Sequence, residues 1–179
     1  MLIVQKFGGS SIADGDRLRR AAGICMRQRQ NGNEVVVVVS AMGDTTDLLA
    51  DRARVLGGKP SPREMDALIT TGEQQSAALL VMMMESLGIP AVSLAGWQAG
   101  IYTDCRYGDS DIRLIAPVRI REALSRGRVP VVTGFQGVCA AGDITSLGRG
   151  GSDTTAVALA AALESDCCEI YTDVDGIYT

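Results

Sequence analysis

Residues 2–39 read LIVQKFGGSSIADGDRLRRAAGICMRQRQNGNEVVVVV, and this stretch decides the fold. The apolar run LIVQKF is broken by GGSS, and apolar residues then recur at helical spacing over about 14–30. The residues NGN end that helix, and the five valines at 35–39 are typical of a strand covered on both faces. A strand, a helix and a strand in this order predict a right-handed βαβ unit, and therefore a layered α/β fold with a mainly parallel sheet.

The same alternation continues along the rest of the chain. The predicted helices lie at about 46–55, 62–87, 117–125 and 154–164, and the predicted strands at about 91–94, 129–133 and 168–172. The stretch 96–111 is polar and is predicted to be irregular, and a second glycine-rich turn follows residue 133. The helix at 154–164 is apolar nearly all round, which predicts burial against the sheet. No repeat or linker composition is visible, so one domain is expected.

Composition and charge exclude several functional classes. Of the 179 residues, 46% are hydrophobic and 21% are charged, which is typical of a folded globular chain. The net charge of -4 argues against a nucleic-acid binder, because that affinity depends on clustered Lys and Arg. The sequence contains no His, which removes Ser-His-Asp and Cys-His chemistry. The most apolar stretch, 77–84, is far shorter than the ~20 residues that span a bilayer, and no export signal is evident, so we expect a cytoplasmic chain without a membrane partner.

The five cysteines do not form a recognisable framework. They occupy positions 25, 105, 139, 167 and 168, without any C-x-x-C pair. An odd number of cysteines fits a reducing compartment better than a set of disulfides. We therefore expect buried thiols, and no metal site.

The first glycine turn, KFGGSS at 6–11, lies where a strand hands over to a helix. Two adjacent glycines let successive N–H groups converge on an anion, and the helix that follows adds its positive end. Lys6 would supply a cation to this phosphate cradle. An ordinary strand-to-helix turn with an exposed lysine explains the same residues.

The second glycine turn, GRGGSD at 148–153, precedes the apolar helix. The planar guanidinium of Arg149 suits a carboxylate ligand, while Ser152 or Asp153 could cap the helix. Capping alone would not explain an arginine between glycines. Both turns are expected at the carboxyl ends of parallel strands, where α/β folds bind ligands.

Six blocks of sequence, taken together, resemble the aspartokinases, which are members of the amino-acid kinase family. The blocks occur in order along the whole chain: KFGGSS (6–11), SAMGDTT (40–46), TGE (71–73), GFQG (134–137), LGRGGSDTTA (147–156) and YTDVDGIY (171–178). The block at 147–156 separates aspartokinases from the related uridylate, glutamate and acetylglutamate kinases. The resemblance implies the carbamate kinase-like fold and ATP-dependent phosphorylation of the side-chain carboxylate of L-aspartate, the entry step to lysine, threonine and methionine. MgATP and L-aspartate are the implied substrates.

The resemblance also implies a role for each matching residue. Lys6 would neutralise the transferring phosphoryl group and Asp153 would orient the cationic groups. The implied aspartate-binding residues are Thr46, Glu73, Arg149, Gly150, Gly151 and Ser152. The implied nucleotide- and phosphate-binding residues are Lys6, Phe7, Gly8, Gly9, Ser10, Ser40, Thr172, Asp173 and Tyr178.

Simpler explanations stand beside four of these assignments. Glu73 is also explained as a solvated charge on a helix. Ser40 and Thr46 are also explained as helix caps. Asp173 and Asp175 beside a glycine are also a good turn.

One departure from the family pattern concerns the end of the sequence. The aspartokinase pattern continues past Thr179 with an Asp-Pro-Arg element, a later lysine that contacts the nucleotide, and usually two regulatory ACT modules. We therefore expect residues 1–179 to be the amino-terminal portion of the kinase domain, with the aspartate-binding lobe and the start of the nucleotide-binding lobe, truncated on its carboxyl-terminal side. An unpaired sheet edge would favour self-association or a homo-oligomer. A fragment that binds substrate or a partner chain without turnover, and a kinase acting on another acidic amino acid, are the alternative functions.

Overall fold

The chain begins with the parallel unit that its first forty residues predict. In the computed structural model, which describes residues 1–172, β1 (Leu2–Phe7) leads through a single 3-10 turn into α1 (Gly15–Gln30) and then β2 (Glu34–Val39). The Asp14 side chain caps α1 by accepting a hydrogen bond from the Arg17 N–H at 2.8 Å. β1 and β2 pair in parallel, as the helical crossover between them requires.

Two sheets organise the described residues. The remaining elements are α2 (Thr45–Arg54), α3 (Pro62–Ile69), α4 (Thr71–Ser86), β3 (Ala91–Leu94), β4 (Ile101–Thr103), β5 (Ile112–Ile115), α5 (Val118–Ser125), β6 (Val129–Thr133), β7 (Gln136–Cys139), β8 (Ile144–Ser146), α6 (Gly151–Leu163) and β9 (Cys167–Tyr171). The larger sheet is parallel throughout, in the order β3-β6-β2-β1-β9. The smaller sheet has the order β5-β4-β7-β8 and is mixed.

The valines of β2 lie at the centre of the fold. All five, at 35–39, are fully buried. Because successive side chains of a strand point to opposite faces, Val35, Val37 and Val39 pack with α1 and α4, while Val36 and Val38 pack with α5 and α6. The sheet is thus covered by helices on both faces, which confirms the predicted α-β-α layers.

The predicted helix at 62–87 is two helices. α3 ends at Ile69 and α4 begins at Thr71; at the junction between them, the Thr70 carbonyl accepts a hydrogen bond from the Gln136 side chain at 2.8 Å. The break leaves α1 and α4 at 16 residues each. Among the described residues no helix has both the length and the apolar character needed to cross a bilayer.

The smaller sheet was not predicted. β4 lies inside the stretch that was expected to be irregular, and β7 and β8 lie between β6 and α6, where only a glycine-rich turn was predicted. These strands have only three or four residues, too few for an alternating pattern to stand out. Glycines permit the close packing around these strands: a Cβ on Gly96 would lie 2.3 Å from the Gln136 carbonyl oxygen, and one on Gly137 would lie 2.7 Å from Cγ2 of Thr103.

The expectation of five buried thiols is wrong. Cys105 and Cys139 form a disulfide, with their Cα atoms 5.2 Å apart, and Cys167 and Cys168 are exposed. Only Cys25 is a buried thiol, and burial raises its pKa to about 12. The disulfide joins the loop after β4 to β7, a proximity that arises from the smaller sheet and is invisible in the cysteine spacing.

Candidate active site

A cavity of about 380 Å³ lies where β1, β2 and β6 end, at the carboxyl edge of the parallel sheet. Residues that follow β1 and β2 line one side of it, and the turn between β8 and α6 lines the other. Both glycine turns therefore face the same crevice. Eleven predicted site residues line it: Lys6, Gly9, Ser10, Ser40, Thr46, Glu73, Arg149, Gly150, Gly151, Ser152 and Asp153.

Lys6 forms an ion pair across the crevice. Lys6 belongs to β1, and its side chain is 9% exposed. Its Nζ lies 2.7 Å from Oδ1 of Asp153, which is in the first turn of α6. A buried ammonium needs such a partner, since an unpaired charge out of water is strongly destabilising. The Asp153 side chain is half-exposed. The pair thus fixes Lys6 at the cavity wall beside the amino end of α6.

The first glycine turn presents two backbone N–H groups. A Cβ on Gly9 would lie 2.4 Å from the Ala41 carbonyl oxygen, so only glycine fits this approach between two loops. The N–H groups of Gly9 and Ser10 have no hydrogen-bond acceptor within residues 1–172. The prediction for Gly8 needs correction, because its N–H donates to the Tyr171 carbonyl at 3.1 Å and so extends the β1–β9 ladder.

Glu73 is a buried carboxylate with one free oxygen. It lies in the first turn of α4, is 3% exposed, and accepts a hydrogen bond on Oε1 from the Ala41 N–H at 3.1 Å. Its Oε2 is buried and has no hydrogen-bond partner among the described residues. Burial raises the pKa of Glu73 to about 7, although hydrogen bonds from backbone N–H groups oppose the rise. The explanation of Glu73 as a solvated helix charge is therefore wrong.

Arg149 lies at the tip of the second glycine turn, between Gly148 at φ 70° and Gly150 at φ 75°. Both flanking residues adopt the left-handed region, which glycine tolerates without strain. The Arg149 side chain is exposed and makes no ion pair or hydrogen bond in the part of the chain that the structure describes. An unpaired guanidinium at a cavity rim is free to form a forked pair with a carboxylate.

The capping role considered for Ser152 and Asp153 is wrong. α6 begins at Gly151, three residues earlier than predicted, so both side chains fall within its first turn. Gly150 is the N-cap residue, and no side chain caps the helix. The helix therefore presents its amino end to the cavity next to Lys6.

Two further predicted residues, Phe7 and Thr172, do not line this cavity. Phe7 is buried in the core and stacks on Tyr171, with ring centroids 4.8 Å apart. Thr172 lines a neighbouring pocket of about 500 Å³ together with Ser10 and Ser11. Asp173 and Tyr178 fall outside the described residues.

Sequence reasoning missed some of the cavity's residues. Ala41, Gly43, Phe135 and Gly148 also line it. The sequence could have indicated these four residues, because each belongs to one of the six blocks that resemble the aspartokinases. Phe135 adopts φ 67°, unusual for a side chain of this size, and its N–H donates to Thr155 Oγ1 at 3.1 Å.

Proteins of known family resemble this chain along its whole length. The model of the amino acid kinase family matches residues 1–179. An aspartokinase of Mycolicibacterium smegmatis is 57% identical over 179 residues, covering 99% of this chain and 42% of the relative. An aspartokinase of Geobacillus stearothermophilus is 54% identical, covering 99% of this chain and 44% of the relative.

Two solved structures share the fold. An aspartate kinase from Synechocystis superposes with a TM-score of 0.85 at 49% identity, covering 99% of this chain and 29% of the other. E. coli aspartokinase III, in complex with aspartate and ADP, superposes with a TM-score of 0.89 at 28% identity, covering 100% of this chain and 51% of the other. This chain spans about two-fifths of the length of the curated relatives. The family match extends over every residue, and so the chain belongs to the amino acid kinase family.

Proposed function

We propose that this chain carries the aspartate site and part of the ATP site of an aspartate kinase, which converts L-aspartate to 4-phospho-L-aspartate. One observation carries the proposal: a single cavity holds a buried carboxylate with a free oxygen, an unpaired guanidinium, and a buried ammonium held by an aspartate. The first two suit the two charged groups of an α-amino acid. The third suits a phosphoryl group.

The aspartate would be held by groups of opposite charge. The free Oε2 of Glu73 would accept a hydrogen bond from the substrate's α-ammonium, and Arg149 would form a forked pair with its α-carboxylate. Thr46 and the backbone of residues 150–152 line the remaining wall. Each charge-assisted hydrogen bond contributes roughly 1.5–3 kcal/mol, so these two contacts would dominate affinity.

The phosphates would lie on the other side of the crevice. The free N–H groups of Gly9 and Ser10 and the amino end of α6 suit phosphate oxygens, and Ser40 lies nearby in the same wall. Lys6, oriented by Asp153, would neutralise charge on the transferring group. We further propose that Thr172, Asp173 and Tyr178 contact the nucleotide.

The reaction itself asks little of the protein beyond positioning. An oxygen of the substrate's side-chain carboxylate bonds to the γ-phosphorus while the bond to the bridging oxygen of ADP breaks. The nucleophile is already ionised at neutral pH, so no general base is needed. Mg²⁺ would arrive on the nucleotide's phosphates, since magnesium takes few protein ligands, and residues 1–172 contain no group of three or more Cys, Asp or Glu side chains placed to hold a metal.

The relatives support this assignment and the extent of the site. The curated relatives are aspartokinases, and the E. coli structure holds aspartate and ADP. Because this chain matches about two-fifths of the curated relatives' length, we propose that it forms the aspartate-binding lobe and the beginning of the nucleotide-binding lobe. β9 pairs with β1 alone among the described strands, so we also propose self-association through its outer edge.

A coupled assay of ADP release tests the function. When this chain is joined to the carboxyl-terminal portion that its aspartokinase relatives have, we expect MgATP consumption that depends on L-aspartate and is lost in Lys6→Ala, with acyl phosphate trapped by hydroxylamine. A preference for glutamate would indicate a different acidic substrate. Saturable aspartate binding measured by calorimetry without ADP release would support the alternative of a binding fragment, and the absence of both would contradict the proposal.

A further inference from the structure

We propose that Asp66, a residue outside the cavity, is a positioning residue that holds the Arg149 turn in its binding geometry. The inference rests on the proposed function, because it assigns Asp66 to aspartate affinity. Asp66 lies on α3 and is only 1% exposed, although its side chain is a carboxyl group. A buried carboxylate of this kind persists where its oxygens are fully hydrogen-bonded.

The Asp66 carboxylate joins two separate segments. Its Oδ2 accepts hydrogen bonds from the backbone N–H groups of Gly108 and Ser146, both at 2.9 Å. Its Oδ1 accepts a third from the Ser146 hydroxyl at 2.7 Å. One side chain therefore fixes both the end of β8 and the loop that precedes β5.

Those two segments support the turn that carries Arg149. Ser110 donates two hydrogen bonds to the Ser146 carbonyl, from its N–H at 2.9 Å and its hydroxyl at 2.8 Å. Asp109 packs so closely on Gly148 that a Cβ there would lie 2.5 Å from its Oδ1. Arg149 follows directly, and within residues 1–172 its side chain makes no hydrogen bond or ion pair that would fix it. Its position is therefore set by the backbone that Asp66 anchors.

The role of Asp66 is geometric, and this separates two substitutions. Asp66→Ala leaves three donors without this acceptor, and the two on Ser146 are buried, so the turn loses its anchor. In Asp66→Asn, the amide oxygen can accept hydrogen bonds from both N–H groups. The amide NH₂ can donate to the Ser146 hydroxyl, because a hydroxyl oxygen can also accept. We expect the asparagine to preserve most of the geometry and the alanine to lose it.

Calorimetric titration of the whole chain with L-aspartate and with ADP tests the proposal. Asp66→Ala should raise the aspartate Kd about tenfold by misaligning the guanidinium, with the ADP Kd changed less than twofold. Asp66→Asn should stay within about threefold of wild type. Asp51→Asn, the same change on exposed α2, is the matched control and should have no effect.

A double-mutant cycle identifies the path of the effect. If Asp66 acts through Arg149, then Asp66→Ala should add nothing to Arg149→Ala. The proposal would be overturned if the losses of aspartate affinity in the two single mutants added up in the double mutant. It would also be overturned if the alanine and asparagine variants raised the aspartate Kd equally, or if Asp66→Ala weakened ADP binding as much as aspartate binding. Should Asp66→Ala fail to fold, Ser146→Ala removes one of the three bonds and should weaken aspartate about threefold through the same cycle.

Hydrogen exchange separates this proposal from the function on which it rests. The Leu147 N–H donates to the Phe135 carbonyl and the Gly151 N–H to the Gly148 carbonyl, so both report on the turn without ligand. Both should exchange faster in Asp66→Ala than in wild type. Faster exchange in Asp66→Ala, combined with a wild-type chain that does not bind aspartate, would refute the proposed function alone. Unchanged exchange in Asp66→Ala would refute the role of Asp66.

Discussion

Glu73 should make the ligand-free protein less stable as the pH rises, and Glu73→Gln should remove this dependence. The folded pKa of Glu73 is about 7, against an ordinary value of 4.5, because the carboxylate is buried. The folded chain therefore binds this proton more tightly than the unfolded chain. The stability that the proton contributes is fully present below pH 4.5 and is lost as the pH rises through 7.

The size of the effect follows from the shift. A displacement from 4.5 to 7 corresponds to about 3 kcal/mol when complete. Glutamine keeps the acceptor that faces the Ala41 N–H but cannot ionise. The free energy of unfolding of Glu73→Gln minus that of wild type should therefore grow by about 2.5 kcal/mol between pH 5 and pH 8.

Urea denaturation at pH 5, 6, 7 and 8 and constant ionic strength measures this difference. Glu85→Gln, at an exposed position on the same helix, is the control and should show no such growth. Saturating L-aspartate should narrow the gap at pH 8, because its ammonium stabilises the ionised carboxylate in wild type only. If the difference in free energy of unfolding between Glu73→Gln and wild type stays constant across the pH range, the argument that Glu73 is a buried acid able to pair with a substrate cation is refuted.

Three further predictions concern the turns and the disulfide. Arg149→Ala should raise the KM for aspartate about 10–100-fold, whereas Lys6→Ala should chiefly lower kcat; equal, small effects on steady-state kinetics would contradict these roles. Gly9→Ala should lower the free energy of unfolding by about 1–3 kcal/mol through its clash with a carbonyl, while Gly15→Ala, with open space around it, should not; urea denaturation compares them. Thiol titration of the unreduced, denatured chain should count three thiols beside the Cys105–Cys139 disulfide, and a count of five would refute that pairing.

Patterns that extend over many residues made the larger sheet predictable. In the valine run of β2 and in the helical spacing of α1, several residues each indicate that a defined face of the element is buried. The crossover rule then fixes how β1 and β2 pair, without any knowledge of the rest. Both turns consequently reach one edge, and the structure places residues 9–10 and 149–153 around one cavity.

Features that depend on distant partners could not be predicted. At the break between α3 and α4, the Thr70 carbonyl accepts a hydrogen bond from Gln136, 66 residues further along. The Gly8 N–H is engaged because β9 pairs beside β1, and a glycine pair alone does not show this. The anchoring by Asp66 likewise joins segments 42 and 80 residues away. Local spacing carries no information about such contacts.

A two-dimensional amide NMR titration with L-aspartate tests the central claim most directly. If the crevice is the amino-acid site, the amides of Ala41, Glu73 and residues 148–152 should shift together along one saturable curve. Arg149→Ala should move that curve to aspartate concentrations about 10–100-fold higher. Saturable shifts confined to another part of the molecule, or none at millimolar aspartate, would contradict the account.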